Sequence, residues 1–182
     1  MDDLQLAREL AAGDERAFHV LVDQQATRVF RICYRILGRV DEAQDAVQET
    51  FVSAYRALAT YRGDGPPGAW LARIATRQCW RRAAVGARTR AATTRLDDIE
   101  LEATHDDTDP FHRAVASEQR EQVRRAVAAL PEPYREVIVL RFFGDLPLAD
   151  IGLALGRPEA TIKTQLRRGL ERLRTTVTGF EA

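Results

Sequence analysis

Apolar residues recur at three- and four-residue spacing along nearly the whole 182-residue chain, and no stretch alternates in the period-two manner of a strand. That periodicity restricts the chain to helices packed on helices, an all-α protein. Phe18, Leu21, Val22, Val29, Ile32, Cys33, Ile36 and Leu37 form one stripe on a long helix, and Gly38 is its expected stop. Asp41, with Gln44 three residues on, has the spacing of a capping box for the next helix, Asp41 to about Ala59. That helix would bury Ala43, Ala46, Val47, Phe51, Ala54 and Leu58, and would show Asp41, Asp45, Gln48, Glu49 and Val52 on its other face. The run Tyr61 to Gly68 holds three glycines and two prolines and reads as a loop. A third helix is expected from about Ala69 to Ala84. Short connections between these helices make residues 1–84 one small helical domain.

Periodicity fades from Val85 to about Asp109, where small residues, Thr and Asp dominate; residues 85–111 read as a flexible linker. It returns with Val115, Gln119, Val123, Ala126, Val127 and Leu130, so residues 112–182 form a second small helical domain. Pro131 ends one helix, Pro133 suits the first turn of the next, and Gly144 ends that one. Two helices then follow, Leu148–Leu155 and Glu159 to about Val177, joined by Gly156-Arg157-Pro158. The glycine permits the positive φ of a tight turn, and Gly152 lets the second helix cross closely over the first.

This helix-turn-helix has the chemistry of a major-groove reader. Ile151, Leu155, Ile162, Leu166, Leu170 and Leu173 face inward. Lys163, Thr164, Gln165, Arg167, Arg168 and Arg172 remain outside, and the stretch from Arg157 to Arg174 carries 6 bases against 2 acids. The amino-terminal half of such a helix reads base edges, where arginine and lysine suit guanine and glutamine suits adenine. Outlying arginines bind phosphate and set register. A solvated basic face would look similar, so this element alone supports DNA binding and little more.

The third helix offers a different surface. Trp70, Arg73, Arg77, Trp80 and Arg81 fall within about a third of its circumference. Guanidinium groups beside indoles suit single-stranded nucleic acid, one holding phosphate and the other stacking on unpaired bases. The glycine-rich loop before it is suited to letting backbone approach an extruded base. A core role for at least one tryptophan competes with that reading.

Charge is segregated along the chain although the net charge is zero. Residues 1–61 carry −3, residues 62–95 carry +7, residues 96–121 carry −7 and residues 122–182 carry +3. Two basic blocks flanking an acidic one fit a protein that grips a polyanion at two places. Other functions find little support. There is no apolar run of membrane-spanning length, and the start, Met1-Asp2-Asp3, is unlike a signal peptide, so the expected location is the cytoplasm. Cys33 and Cys79 stand apart from any zinc or redox motif, and no metal or cofactor site is expected. His19, His105 and His112 lack catalytic partners by spacing, and no phosphate-binding glycine loop is present, so the chain is not expected to be an enzyme.

Together these stretches resemble the extracytoplasmic-function sigma factors, the small two-domain initiation factors of bacterial RNA polymerase. Asp41-Glu42-Ala43-Gln44-Asp45-Ala46-Val47-Gln48-Glu49-Thr50-Phe51 is similar to that family's polymerase-binding helix. Ala69-Trp70-Leu71-Ala72-Arg73-Ile74-Ala75 is similar to its promoter-melting helix. Leu130-Pro131, Tyr134-Arg135, Asp150-Ile151-Gly152 and Thr161-Ile162-Lys163-Thr164 are similar to its fourth-region signature.

The resemblance implies that Asp41, Asp45, Gln48, Glu49 and Phe51 lie on or support the surface for the clamp of the polymerase largest subunit, with the flap of the second subunit as a further contact. It implies that the loop Arg62, Gly63, Asp64 to Pro67 captures a flipped base of the minus-10 element, beside Trp70, Arg73, Arg77, Trp80 and Arg81. It implies that Thr161, Lys163, Thr164 and Arg167 read the minus-35 element, with Gln165 and Arg168 near them, and that promoter DNA is met both as duplex and as single strand. An anti-sigma factor is a further implied partner. Arg77 and Arg81 depart from the family, standing where asparagine and aspartate are common; Asp150 and Gly152 replace the commoner glutamate and alanine. A helix-turn-helix regulator acting without core polymerase is the competing reading, against which the acidic face of Asp41–Ala59 speaks.

Overall fold

The computed structural model describes residues 2–63, 65–92 and 110–178. Eight α-helices account for most of them, and no strand occurs among the described residues. The amino-terminal region holds α1 (Asp3–Ala11), α2 (Glu15–Leu37), α3 (Val40–Ala57), a short 3-10 turn (Leu58–Thr60) and α4 (Pro67–Ala92). The carboxy-terminal region holds α5 (Pro110–Ala129), α6 (Glu132–Phe142), α7 (Leu148–Leu155) and α8 (Glu159–Thr178).

The helix stops follow from local chemistry. Gly38 ends α2 at φ 81° and Gly156 ends α7 at φ 63°, left-handed conformations that cost glycine no Cβ clash. Pro147 precedes α7 as its cap residue, and α6 carries a proline in its first turn, where the missing N–H is not needed. Asp14 caps α2 by accepting from the Arg16 backbone N–H at 2.7 Å.

Two expectations need correction, and one further helix is present. Asp41 does not cap α3: the helix begins at Val40 behind Arg39, whose side chain makes no capping bond, and Asp41 in the first turn pairs with Arg39 instead. The third helix does not end at Ala84 but continues to Ala92. The segment after Ala84 lacks an apolar stripe yet is rich in Ala and Arg, good helix formers, and propensity carries the helix on where amphipathicity stops. The helix α1 carries no stripe long enough to stand out in the sequence. It exists because Leu6, Ala7 and Leu10 bury themselves against the rest. Residues 93–109, which hold most of the expected linker, lie outside the described residues, as does Asp64 of the loop.

α2 is the centre of the amino-terminal region, packing against α1, α3 and α4. Leu21, Val29, Ile32, Cys33 and Leu71 are essentially fully buried there. In the carboxy-terminal region α6 and α7 pack against α8, sealing Val137, Ile138, Ile151 and Ile162. Each such side chain contributes about 1.5–3 kcal/mol by leaving water. The two regions also meet, and buried residues of both belong to one apolar cluster. α6 and α7 pack directly on α4, and the buried cluster runs without a break from Leu6 to Ile162.

Candidate nucleic-acid interfaces

The turn Gly156-Arg157-Pro158 sets the crossing of α7 and α8. A Cβ on Gly152 would lie 2.8 Å from the Arg157 carbonyl oxygen, so only glycine allows the approach. Ile162 is fully buried on the inner face of α8 and Leu166 and Leu173 pack against the core, but Leu170, expected to face inward, is exposed because the helix axis turns it past the edge of the core. The opposite side of α8 is open. Thr161, Lys163, Thr164, Arg167 and Arg168 are exposed and Gln165 is half-buried.

These residues divide into two rows. Lys163 pairs with Glu159 at 2.8 Å and Arg167 with Glu171 at 2.7 Å, both one turn away on α8 itself. Such exposed pairs contribute little and yield readily to a stronger anion. Thr161, Thr164, Gln165 and Arg168 line a groove of about 480 Å³ with Pro133 and Tyr134 of α6. Arg172 lies over the same tyrosine, its guanidinium 4.9 Å from the Tyr134 ring centre. The half-buried Arg157 reaches from the turn to Glu136 at 3.1 Å. Sequence reading missed Glu136; a lone Glu inside the apolar run of α6 was the available signal.

On α4 the expected stripe is divided as well. Arg77 and Arg81 are exposed, whereas Trp70, Arg73 and Trp80 are half-buried. Both tryptophans pack partly against the core, so the core reading holds in part for each. Trp70 lies 5.0 Å from the ring of Tyr61, whose hydroxyl donates to the Gly65 carbonyl at 2.6 Å and braces the loop. Arg73 Nη1 donates to the Ala154 carbonyl of α7 at 2.7 Å. Arg135 of α6 lies over Trp80, 4.6 Å from its ring centre. A Cβ on Gly65 would come within 2.9 Å of Leu153 Cβ, so α7 also abuts the loop. Arg62 is exposed, and Gly63 takes φ 74°. The carboxy-terminal region therefore covers part of the α4 surface and leaves Arg77 and Arg81 clear.

The acidic face of α3 is exposed as expected at Asp41, Asp45, Gln48 and Glu49, with Val52 among them. Phe51 is half-buried and packs against the core, supporting that face from behind. Arg39 donates to Asp41 and holds its carboxyl below the usual range. Arg82 of α4 grips two of these acids, Asp45 at 3.3 Å and Glu49 at 3.0 Å. Gln78 adds a bond from its Nε2 to the Ser53 hydroxyl, and its Oε1 lies 3.1 Å from the Thr50 hydroxyl. The seam between α3 and α4 is thus polar at its edge, fixing the acidic helix against the arginine helix.

Two further groups are shifted by their surroundings. Cys33 beside it, together with burial, raises the Cys79 pKa, so that thiol stays protonated. Burial, with Asp3 nearby, raises the carboxyl of Asp150 in α7, partly offset by Arg28. Among the described residues there is no cluster of His, Cys, Asp and Glu able to hold a metal ion, and no helix long and apolar enough to cross a membrane.

Comparison with known proteins gives matches over both regions. Residues 21–89 match the family model for sigma-70 region 2, and residues 120–173 match that for sigma-70 region 4. The chain is 33% identical over 177 residues to the ECF RNA polymerase sigma factor SigW of Bacillus subtilis, covering 92% of each chain. It is 32% identical to the RNA polymerase sigma-H factor of Pseudomonas aeruginosa, covering 93% of this chain and 90% of that one. It is 30% identical to the ECF RNA polymerase sigma-E factor of Escherichia coli K12, covering 94% and 92%. Among solved structures, CnrH in complex with the cytosolic domain of CnrY aligns with TM-score 0.62 and 23% identity over 97% of both chains. The sigma factor RpoE of Bartonella quintana, solved with the anti-sigma factor NepR, aligns with TM-score 0.58 and 16% identity over 88% of this chain and 96% of that one. At those identities the likeness is one of fold.

Proposed function

Because the chain belongs to the extracytoplasmic-function sigma factors, RNA polymerase subunits that direct transcription initiation and carry out no catalysis of their own, we propose a division of that work among three of its faces. Residues 1–84 bind core polymerase and engage the minus-10 element, and residues 112–182 engage the minus-35 element. The competing reading, a regulator acting without polymerase, gives way to the family membership.

One observation carries the division: the acidic face lies on α3, while the exposed arginines and threonines lie on α4 and α8. Like charge repels DNA from α3, so that helix is the one suited to a protein partner. In this reading Asp41, Asp45, Gln48 and Glu49 meet the clamp of the largest subunit, with Phe51 holding the helix in place. Region 4 meets the flap of the second. Arg77 and Arg81 hold the minus-10 strands by phosphate. Trp70, Arg73 and Trp80, with the loop at Arg62 and Gly63, receive an unpaired base. Thr161, Lys163, Thr164, Gln165, Arg167 and Arg168 occupy the minus-35 major groove.

The packed arrangement adds a condition. Arg73 and Trp80 cannot hold DNA while Ala154 and Arg135 occupy them. The carboxy-terminal region therefore lifts from α4 as the chain joins polymerase and promoter. An anti-sigma factor is an expected partner of the packed form, in keeping with the protein complexes solved for the structural neighbours.

Run-off transcription with core polymerase, with start sites mapped, tests the whole reading. The wild-type chain is expected to give discrete starts downstream of a common pair of elements. Trp80→Ala is expected to slow strand opening more than closed-complex binding. Equal loss of both steps, with helicity retained, would remove Trp80 from the melting surface.

A further inference from the structure

Glu136 is the one buried carboxylate among the described residues, 6% exposed on α6 beneath the recognition helix. Arg157 holds it from the helix-turn-helix turn, with Nη2 3.1 Å from its Oε2. A buried charge left without that partner would be strongly disfavoured, so the pair fixes the guanidinium in place. The other terminal nitrogen, Nη1, lies 3.4 Å from Gln165 Oε1 on α8. At that length the bond is weak, but its polarity is unambiguous. A guanidinium carries donors and no acceptor, so the carboxamide must turn its oxygen toward Arg157 and its amino group away.

We propose that the Glu136–Arg157 pair makes Gln165 a donor-only reader of a base edge and so sets specificity at one minus-35 position. The inference rests on the reading that α8 enters the major groove with Gln165 facing bases. A free glutamine pairs with adenine through both amide atoms, accepting from N6 and donating to N7. With its oxygen turned toward Arg157, Gln165 presents its amino group, a donor, to the base. Purine N7, guanine O6 and thymine O4 accept from it, whereas a cytosine facing it presents only its amino donor. The expected preference is therefore rejection of cytosine rather than selection of adenine. Glu136 and Arg157 act here as positioning residues.

The test uses the full chain with core polymerase, selecting from promoter duplexes randomised across the minus-35 element. Gln165→Ala is expected to flatten preference at one base pair, which locates the position. There the wild type should disfavour cytosine about tenfold. Arg157→Ala should remove that rejection and raise adenine at the same base pair, with other positions unchanged in rank. Should Arg157→Ala lose helicity, Arg157→Lys carries the test: it keeps a donor-only cation in the turn and should retain cytosine rejection. If Gln165→Ala alters no base preference, the groove reading of Gln165 fails and the proposal fails with it. If Gln165→Ala flattens one position and Arg157→Ala weakens all sequences uniformly without touching that position, the positioning role alone is overturned. Loss of cytosine rejection in a folded Arg157→Lys would overturn it as well.

Discussion

The helices α4 and α8 carry similar cationic chemistry, and the molecule treats them differently. α8 keeps its outward face open, and Lys163 and Arg167 there pair with carboxylates one turn away on the same helix. On α4 two cations are engaged, Arg73 on the Ala154 carbonyl of α7 and Arg82 on Asp45 and Glu49 of α3, while Arg77 and Arg81 stay exposed. The contrast separates a surface open to duplex from one that is partly covered, at Arg73 and Trp80. Intrahelical pairs at α8 are given up at little cost. The Arg73 contact instead ties α4 to α7, across the two regions.

The strongest challenge to this comparison is at the shared core. Leu71→Ala in α4 and Ile162→Ala in α8 should each destabilise the chain by about 2–5 kcal/mol, since both side chains are fully buried. If the two regions form one unit, each variant shifts a single unfolding transition in circular dichroism. Two separated transitions, each moved by only one variant, would break it.

The next effect concerns α3. Asp45→Lys combined with Glu49→Lys should weaken binding of core polymerase at least about tenfold, read by titration of labelled chain. Unchanged affinity would return that face to a structural role, in which its main task is to hold Arg82.

Arg167→Ala should lower affinity for promoter duplex several-fold and reduce the salt dependence of binding by about one phosphate's worth. An unaltered salt slope would place Arg167 outside the interface and leave the groove-lining row, Thr161, Gln165 and Arg168, to carry it.

The smallest effect sharpens the account of α4. Arg135→Ala removes the cation over Trp80, a contact worth about 0.5–1 kcal/mol. Quenching of tryptophan fluorescence by acrylamide should rise modestly. No change in quenching would show that α6 does not shield that face in solution.

The sequence by itself determined that the chain is helical, where most helices stop, and which stretches are basic or acidic. Gly38, Gly156, Pro131 and Pro147 fix their boundaries by steric rules that act within a few residues, so periodicity and punctuation sufficed. The helix-turn-helix was legible for the same reason, as was the acidic face of α3. The start of α3 and the length of α4 were misjudged, because Arg39 could not be seen to displace a cap and propensity outlasts an apolar stripe. A helical wheel orients a residue about its own axis and says nothing of which neighbour arrives on that side. Only the tertiary structure decided that Arg73 and Trp80 are covered while Arg77 and Arg81 are clear. It alone joined Arg82 to Asp45, 37 residues away, and Arg157 to Glu136, 21 residues away. Those pairings depend on burial and on the packing of helices distant in sequence, and burial is what turns an ordinary charge pair into a device for positioning a reading side chain.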